Sequence, residues 1–212
     1  MNITKYTHAC IVLEEAGQKI VIDPGSWTTD LPDLTAVVAV IITHSHADHF
    51  NADNLAAIAN SNPGVQILGT REVADSLAAP HVTTVTAGKT VTVGNFNLEF
   101  FGEKHAQIHT SIPPIQNIGV LVNDTVYYGG DSFTVPTSKA ISVLAIPVSA
   151  PWLKMAEVID YYNTIKPRIC IPTHNALLSE IGQGLADTFM QGLADEAAAT
   201  YTSLKPGQTI EV

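Results

Sequence analysis

Six small or β-branched apolar residues, Val37-Val38-Ala39-Val40-Ile41-Ile42, lead through Thr43 into His44-Ser45-His46-Ala47-Asp48-His49. No other stretch restricts the fold as much. A continuous apolar run of this length suits a strand buried on both faces, as in a parallel sheet covered by helices. The polar cluster starts where the strand stops, and strand-end loops are where sites are built on a rigid scaffold. Imidazole and carboxylate are metal-ligand groups. His44 and His46, two residues apart, can turn to one ion, and Asp48 and His49 to a position beside it.

The same arrangement recurs along the chain. Asp23 closes an apolar strand at Lys19–Ile22, and the strand Phe96–Phe101 is followed by Gly102-Glu103-Lys104-His105-Ala106-Gln107-Ile108-His109. Thr125–Tyr128 runs into Gly129-Gly130-Asp131, where small residues allow close approach to a bound ion. Arg168–Ile171 ends in Pro172-Thr173-His174. His8 falls in the connection between strands at Asn2–Thr7 and Cys10–Glu14, while His81 stands apart and reads as a surface residue.

Helices are predicted after the His44 cluster (Asn51 as N-cap, Asn62-Pro63-Gly64 as stop), at Thr70–Ala78, at Leu153–Ile165 and at Leu185–Ala199. Hairpins are predicted about Gly94-Asn95 and Asn123-Asp124. Strands in both halves, each with helices attached, predict two sheets packed face to face with helices outside. No repeat or linker divides the chain, so residues 1–212 read as one domain.

Composition excludes several functional classes. With 46% hydrophobic and 14% charged residues, the chain has the balance of a packed globular protein. A formal charge of −10 and scattered basic residues argue against nucleic-acid binding. No basic-then-apolar leader and no run of about 18 apolar residues appears, so a cytoplasmic protein without membrane contact is expected. Cys10 and Cys170 lie in apolar strand contexts and read as buried free thiols.

His44-Ser45-His46-Ala47-Asp48-His49 resembles the signature of the metallo-β-lactamase superfamily, and Asp23, His105, Asp131 and His174 are similar to its other motif positions, in order. The resemblance implies a four-layer αββα sandwich with a metal-dependent hydrolytic site between the sheets. It places His44, His46 and His105 on a first ion and Asp48, His49 and His174 on a second. Asp131 would bridge the two, and Asp23 would orient ligands from behind. His105 is preferred over His109 as the ligand. Tyr6-Thr7-His8-Ala9-Cys10, Lys104–His109 and Pro147–Trp152 are similar to the compact branch of L-ascorbate-6-phosphate lactonase-like proteins. No cysteine stands at a ligand position, unlike the cysteine-bearing true β-lactamases, and His46 stands where flavodiiron proteins carry glutamate.

The implied cofactor is Zn²⁺, as one or two ions, with Mn²⁺, Fe²⁺ or Ni²⁺ also suited to the ligand set. The implied reaction is attack by a metal-bound hydroxide on an ester, lactone or phosphoester of a small molecule. Asp48, His109 and His8 are the candidate catalytic residues, Asp48 as acceptor of the water's proton and His8 and His109 also as parts of the pocket wall. Trp27, Phe133 and Trp152 are candidates for the pocket wall, and Lys104 and Lys154 for an anionic group of the substrate. Two alternatives stand beside this reading: cleavage of a small or lipid-like phosphodiester, and a non-catalytic metal-stabilised sensor. Self-association is compatible with either.

Overall fold

The computed structural model describes residues 1–76, 82–137 and 139–212. The first sheet holds β1 (Asn2–Lys5), β2 (Ile11–Glu15), β3 (Gln18–Ile22), β4 (Val37–Ile42), β5 (Gln66–Gly69) and β6 (Val82–Thr84). The second holds β7 (Thr90–Val93), β8 (Phe96–Phe101), β9 (Gly119–Val122), β10 (Val126–Tyr128), β11 (Val143–Pro147), β12 (Ile169–Thr173) and β13 (Thr200–Tyr201). The last strand, β14 (Thr209–Glu211), returns to the first sheet beside β1, giving the order β14-β1-β2-β3-β4-β5-β6 against β13-β12-β11-β10-β9-β8-β7.

Alternation along the strands makes the layers. Ile20, Ile22, Ala39 and Ile41 of the first sheet face Val120, Val122, Val143, Ala145 and Ile171 of the second in one shared core. Their neighbours point outward. Val21, Val40 and Ile42 pack with Leu55 and Ile58 of α1 (Ala52–Ser61) and Val73 of α2 (Arg71–Ser76). Leu121, Leu144, Ile146 and Cys170 pack with Val158 and Tyr162 of α3 (Met155–Ile165) and Ala186 and Met190 of α4 (Glu180–Glu196). Each fully buried aliphatic contributes roughly 1.5–3 kcal/mol. The result is the expected αββα sandwich, with strands apolar on both faces because both faces are covered.

Strand direction explains where the polar residues gather. β3 through β6 are parallel, and β1 runs with β3 because β2 is antiparallel to both. In the second sheet β10, β11 and β12 are parallel, and β8 runs with them because β9 is antiparallel to its two neighbours. The loops that carry His8, Asp23, His44, His105, Asp131 and His174 therefore all leave the same end of their sheets.

Several expected boundaries move. α4 starts at Glu180, earlier than expected, with Ser179 Oγ accepting the Gly182 amide at 3.3 Å; the low helix propensity of Gly182 and Gly184 hides that start in the sequence. α3 starts at Met155, where Glu157 reaches back to the Lys154 amide at 2.7 Å. β1 stops at Lys5, and the short β13 was not expected. The hairpins at Asn123-Asp124 and Gly94 form, with φ near 50° at both residues of the first and 54° at Gly94. His81 and the end of the helix expected over Thr70–Ala78 lie outside the described residues.

Candidate metal centre

The centre is assembled on a buried carboxylate. Asp23 sits past β3 with φ 50° and accepts the Thr43 amide at 2.8 Å, the Thr43 hydroxyl at 2.6 Å and His49 Nδ1–H at 2.7 Å. Because the Thr43 hydroxyl gives its proton to Asp23, its lone pair is left to accept Nδ1–H of His44 at 3.0 Å. One carboxylate therefore fixes the tautomers of two histidines and aims both Nε2 lone pairs away from itself. Gly25 closes the same corner: a Cβ there would stand 1.9 Å from the Asp48 carbonyl oxygen, so only glycine lets the two loops meet.

Backbone carbonyls do the equivalent for two further histidines. His105 Nδ1–H donates to the Ala106 carbonyl and His174 Nδ1–H to the Ser149 carbonyl, each at 2.5 Å. His174 takes φ 59°, which turns it into the centre. Asp131 is held by its amide, which donates to Asn117 Oδ1 at 3.0 Å, and by Trp152 Nε1–H, which donates to its Oδ2 at 2.9 Å.

What remains points inward. The Nε2 atoms of His44, His49, His105 and His174 and Oδ1 of Asp131 are buried and have no hydrogen-bond partner. Asp131 lies among them: Oδ2 is 3.3 Å from His105 Nε2 and 3.2 Å from His174 Nε2, and Oδ1 is 3.1 Å from His49 Nε2, misaligned for a hydrogen bond. Ligand atoms of His44, His46, His105 and Asp131 lie within 4.8 Å of one another, as do those of His8, Asp48, His49 and His174. A buried group left unpaired costs about 1–3 kcal/mol, so five in one spot favour a shared partner. A divalent cation fits that donor set.

Electrostatics agree. Burial pushes His44 well below the ordinary imidazole range and lowers His46. For Asp131, burial favours the neutral acid, but His49, His105 and His174 around it hold the carboxyl well below its usual range. Asp48 is likewise lowered, burial being outweighed by the imidazoles of His174 and His8. In return, the Asp131 and Asp23 charges overcome burial at His49 and raise it, and Asp131 and Asp48 raise His174 to about 9. The centre draws positive charge.

His8, in the turn between β1 and β2, is buried at 1% exposure. Its Nε2–H donates to Asp48 Oδ2 at 3.1 Å, its carbonyl accepts the His174 amide at 3.1 Å, and its ring packs at a tilt against those of His174 and Trp27. His109 belongs to neither group; it is exposed, and its Nδ1 accepts from Ser111.

Over the centre lies a cavity of about 250 Å³ walled by Trp27, Ile108, Pro151, Trp152 and Leu177. Phe133 does not line it but packs behind Trp152, ring centroids 5.1 Å apart. Neither expected lysine lines it. Lys104 borders a separate cavity of about 290 Å³ with Arg71 and Gln116, and Lys154 is the residue before the first turn of α3. Sequence reasoning missed Thr43, Asn117, Ile108 and Leu177; Thr43, wedged between a buried strand and a histidine, carried the one usable signal.

Residues 2–174 match the profile of the beta-lactamase superfamily domain. Protein Rv0786c of Mycobacterium tuberculosis is 29% identical, covering 95% of this chain and all of the relative. A UPF0173 metal-dependent hydrolase of Aeropyrum pernix is 26% identical over 99% of this chain and 97% of the relative. The solved structure of Igni18, a metallo hydrolase from Ignicoccus hospitalis, superposes with a TM-score of 0.74 at 18% identity, covering all of this chain and 98% of that one. Together with the two stacked sheets and the histidine–aspartate centre at their edge, these matches show that the chain belongs to the metallo-β-lactamase superfamily.

Proposed function

We propose that the protein is a metal-dependent hydrolase acting on an ester or lactone of a small molecule. The convergence of buried, unpaired Nε2 atoms of His44, His49, His105 and His174 on Asp131 carries this reading. His44, His46 and His105 would hold one ion and Asp48, His49 and His174 another, with Asp131 between them, and zinc suits the set. Divalent ions supply an acidified water and polarise the scissile carbonyl.

The chain's own residues do the rest. Asp48 is the carboxylate of the centre that is only partly buried, and it borders the cavity. It is placed to take a proton from the attacking water and pass it toward the leaving oxygen. His8 donates to Asp48 and so fixes which carboxylate oxygen faces the cavity. Trp152 occupies one lone pair of Asp131 and fixes its rotation. The walls of Trp27, Ile108 and Trp152 bound the space beside the centre that a substrate would fill.

The test combines metal analysis with a substrate screen. Purified protein should carry Zn²⁺ or another divalent ion in stoichiometric amount, and the double variant His44→Ala plus His46→Ala should lose it. Unchanged metal content in that variant would sink the proposal. In a screen of lactones, esters and phosphodiesters with added Zn²⁺ or Mn²⁺, the carbonyl substrates should turn over. Turnover of phosphodiesters alone would replace the bond type, and full metal occupancy without turnover would favour a binding or sensor protein.

A further inference from the structure

We infer that the ligand of this cavity is electrically neutral and carries an apolar tail, so that the site selects a hydrophobic ester or lactone over a phosphorylated or otherwise anionic one. The inference rests on the proposed function for the word substrate, but the pocket chemistry stands apart from it.

The first observation is the wall. Outside the histidines and aspartates of the centre, the cavity is lined by Trp27, Ile108, Pro151, Trp152 and Leu177, with no lysine or arginine. A neighbouring recess of about 60 Å³ shares His46, His105 and Ile108 as lining residues and is otherwise walled by Ala106, Ile112, Pro113, Pro114 and Ile115. At about 250 Å³ the main cavity is near the lower end of small-molecule sites, which span roughly 300–1,000 Å³.

The second observation concerns where the protein exposes apolar surface. Among the described residues the large exposed hydrophobics are Trp27, Ile108, Ile112, Leu177, Ile181, Leu185 and Phe189. The first four border the cavity or the neighbouring recess, and the other three lie on α4. Single exposed apolar residues need no explanation, but a cluster around one opening marks a surface that is wetted only when its ligand is away.

The third observation is charge. An anionic group entering here meets no lysine or arginine, lies against the partly exposed Asp48, and approaches a protein of formal charge −10. Neither Lys104 nor Lys154 lines this cavity: Lys104 borders the other one, and Lys154 is the residue before α3. The net charge of the chain therefore does not steer an anion toward the cavity.

Trp27 and Trp152 are the only tryptophans in the chain, and both stand on this wall. Intrinsic fluorescence therefore reports occupancy of the cavity directly. The metal-loaded protein is titrated with 2-pentanone through 2-nonanone, which are not hydrolysed, and with alkyl phosphates of matching length. Each added methylene should strengthen ketone binding roughly threefold to fourfold until the cavity is full. A phosphate of equal length should bind more weakly. Ile108→Asp and Leu177→Asp change exposed side chains and should flatten the ketone series, weakening the longest ligand by about tenfold or more. Ile181→Asp, on α4 and outside the cavity lining, should leave the series unchanged.

A ketone series with no dependence on length, or phosphates that bind more tightly than ketones of equal length, overturns the inference. The readout needs no turnover. A steep ketone series in a protein that hydrolyses none of the esters or lactones supports the pocket assignment while removing the hydrolase reading.

Discussion

His49 Nδ1 and Asp23 Oδ2 lie 2.7 Å apart, both residues fully buried, and that bond ties the helix-side loop to the end of β3. Asp23 reaches the centre only through others: His49 directly, and His44 by way of the Thr43 hydroxyl. A partner of this kind sets ring orientation and basicity without touching the ion.

Asp23→Asn keeps the size but turns one acceptor into a donor, so His49 and Thr43 can no longer both be satisfied. Metal affinity, measured by competition with a chromogenic chelator, is expected to fall about 10- to 100-fold. An unchanged affinity would remove Asp23 from the orienting role.

Gly25→Ala forces a methyl into the Asp48 carbonyl, 1.9 Å from the new Cβ. The Asp48–His49 backbone has to move, so a loss of at least about 2 kcal/mol by urea denaturation is expected, together with reduced metal content. Gly64→Ala is the control for exchanging glycine in a turn; nothing lies within 4 Å of a Cβ there, although its φ of 89° carries its own strain.

Lys5 is buried, its ammonium donating to the Tyr6 carbonyl and to Asn175 Oδ1, and burial lowers its pKa from 10.5 to about 8. Below pH 8 both folded and unfolded chains carry the proton. Between about 8 and 10.5 the folded chain sheds it first, so the unfolded state binds more protons and stability rises with pH through this group. Measured at pH 7.5 and pH 9, the stability of the parent should gain about 1 kcal/mol relative to Lys5→Met, because one pKa unit is worth about 1.4 kcal/mol. The comparison within the pair cancels tyrosines and cysteines that titrate in the same range.

Cys10 and Cys170 are free, fully buried, and have thiols pushed up by burial. A thiol reagent should label neither in the native protein and both after denaturation. Rapid native labelling of either would mean that its sheet opens locally at low cost.

Much of the fold is written in local pattern. Val37–Ile42 can be buried on two faces because none of its side chains is polar, and the turn residues Asn123 and Asp124 take the positive φ that their short side chains tolerate. The start of α4 was hidden because Gly182 and Gly184 break its periodic signal, while Ser179 and tertiary packing of Met190 hold it in place. The residues that gather at the centre were also legible as candidates, since His44, His46, Asp48, His49, His105, Asp131 and His174 each follow an apolar strand or lie within a few residues of one.

Sequence by itself determined the strands, the layers and the kinds of side chain delivered to their ends, because hydrophobic period and turn chemistry act over a few residues. Only the tertiary structure decided that His8 enters the centre while His109 stays outside, and that Thr43 links His44 to Asp23. It alone placed Lys104 and Lys154 away from a cavity walled by Ile108 and Leu177. Those choices depend on strand direction and on how loops from two sheets turn toward one another. The energies that settle them come from contacts between residues tens to more than a hundred positions apart, which no local pattern encodes.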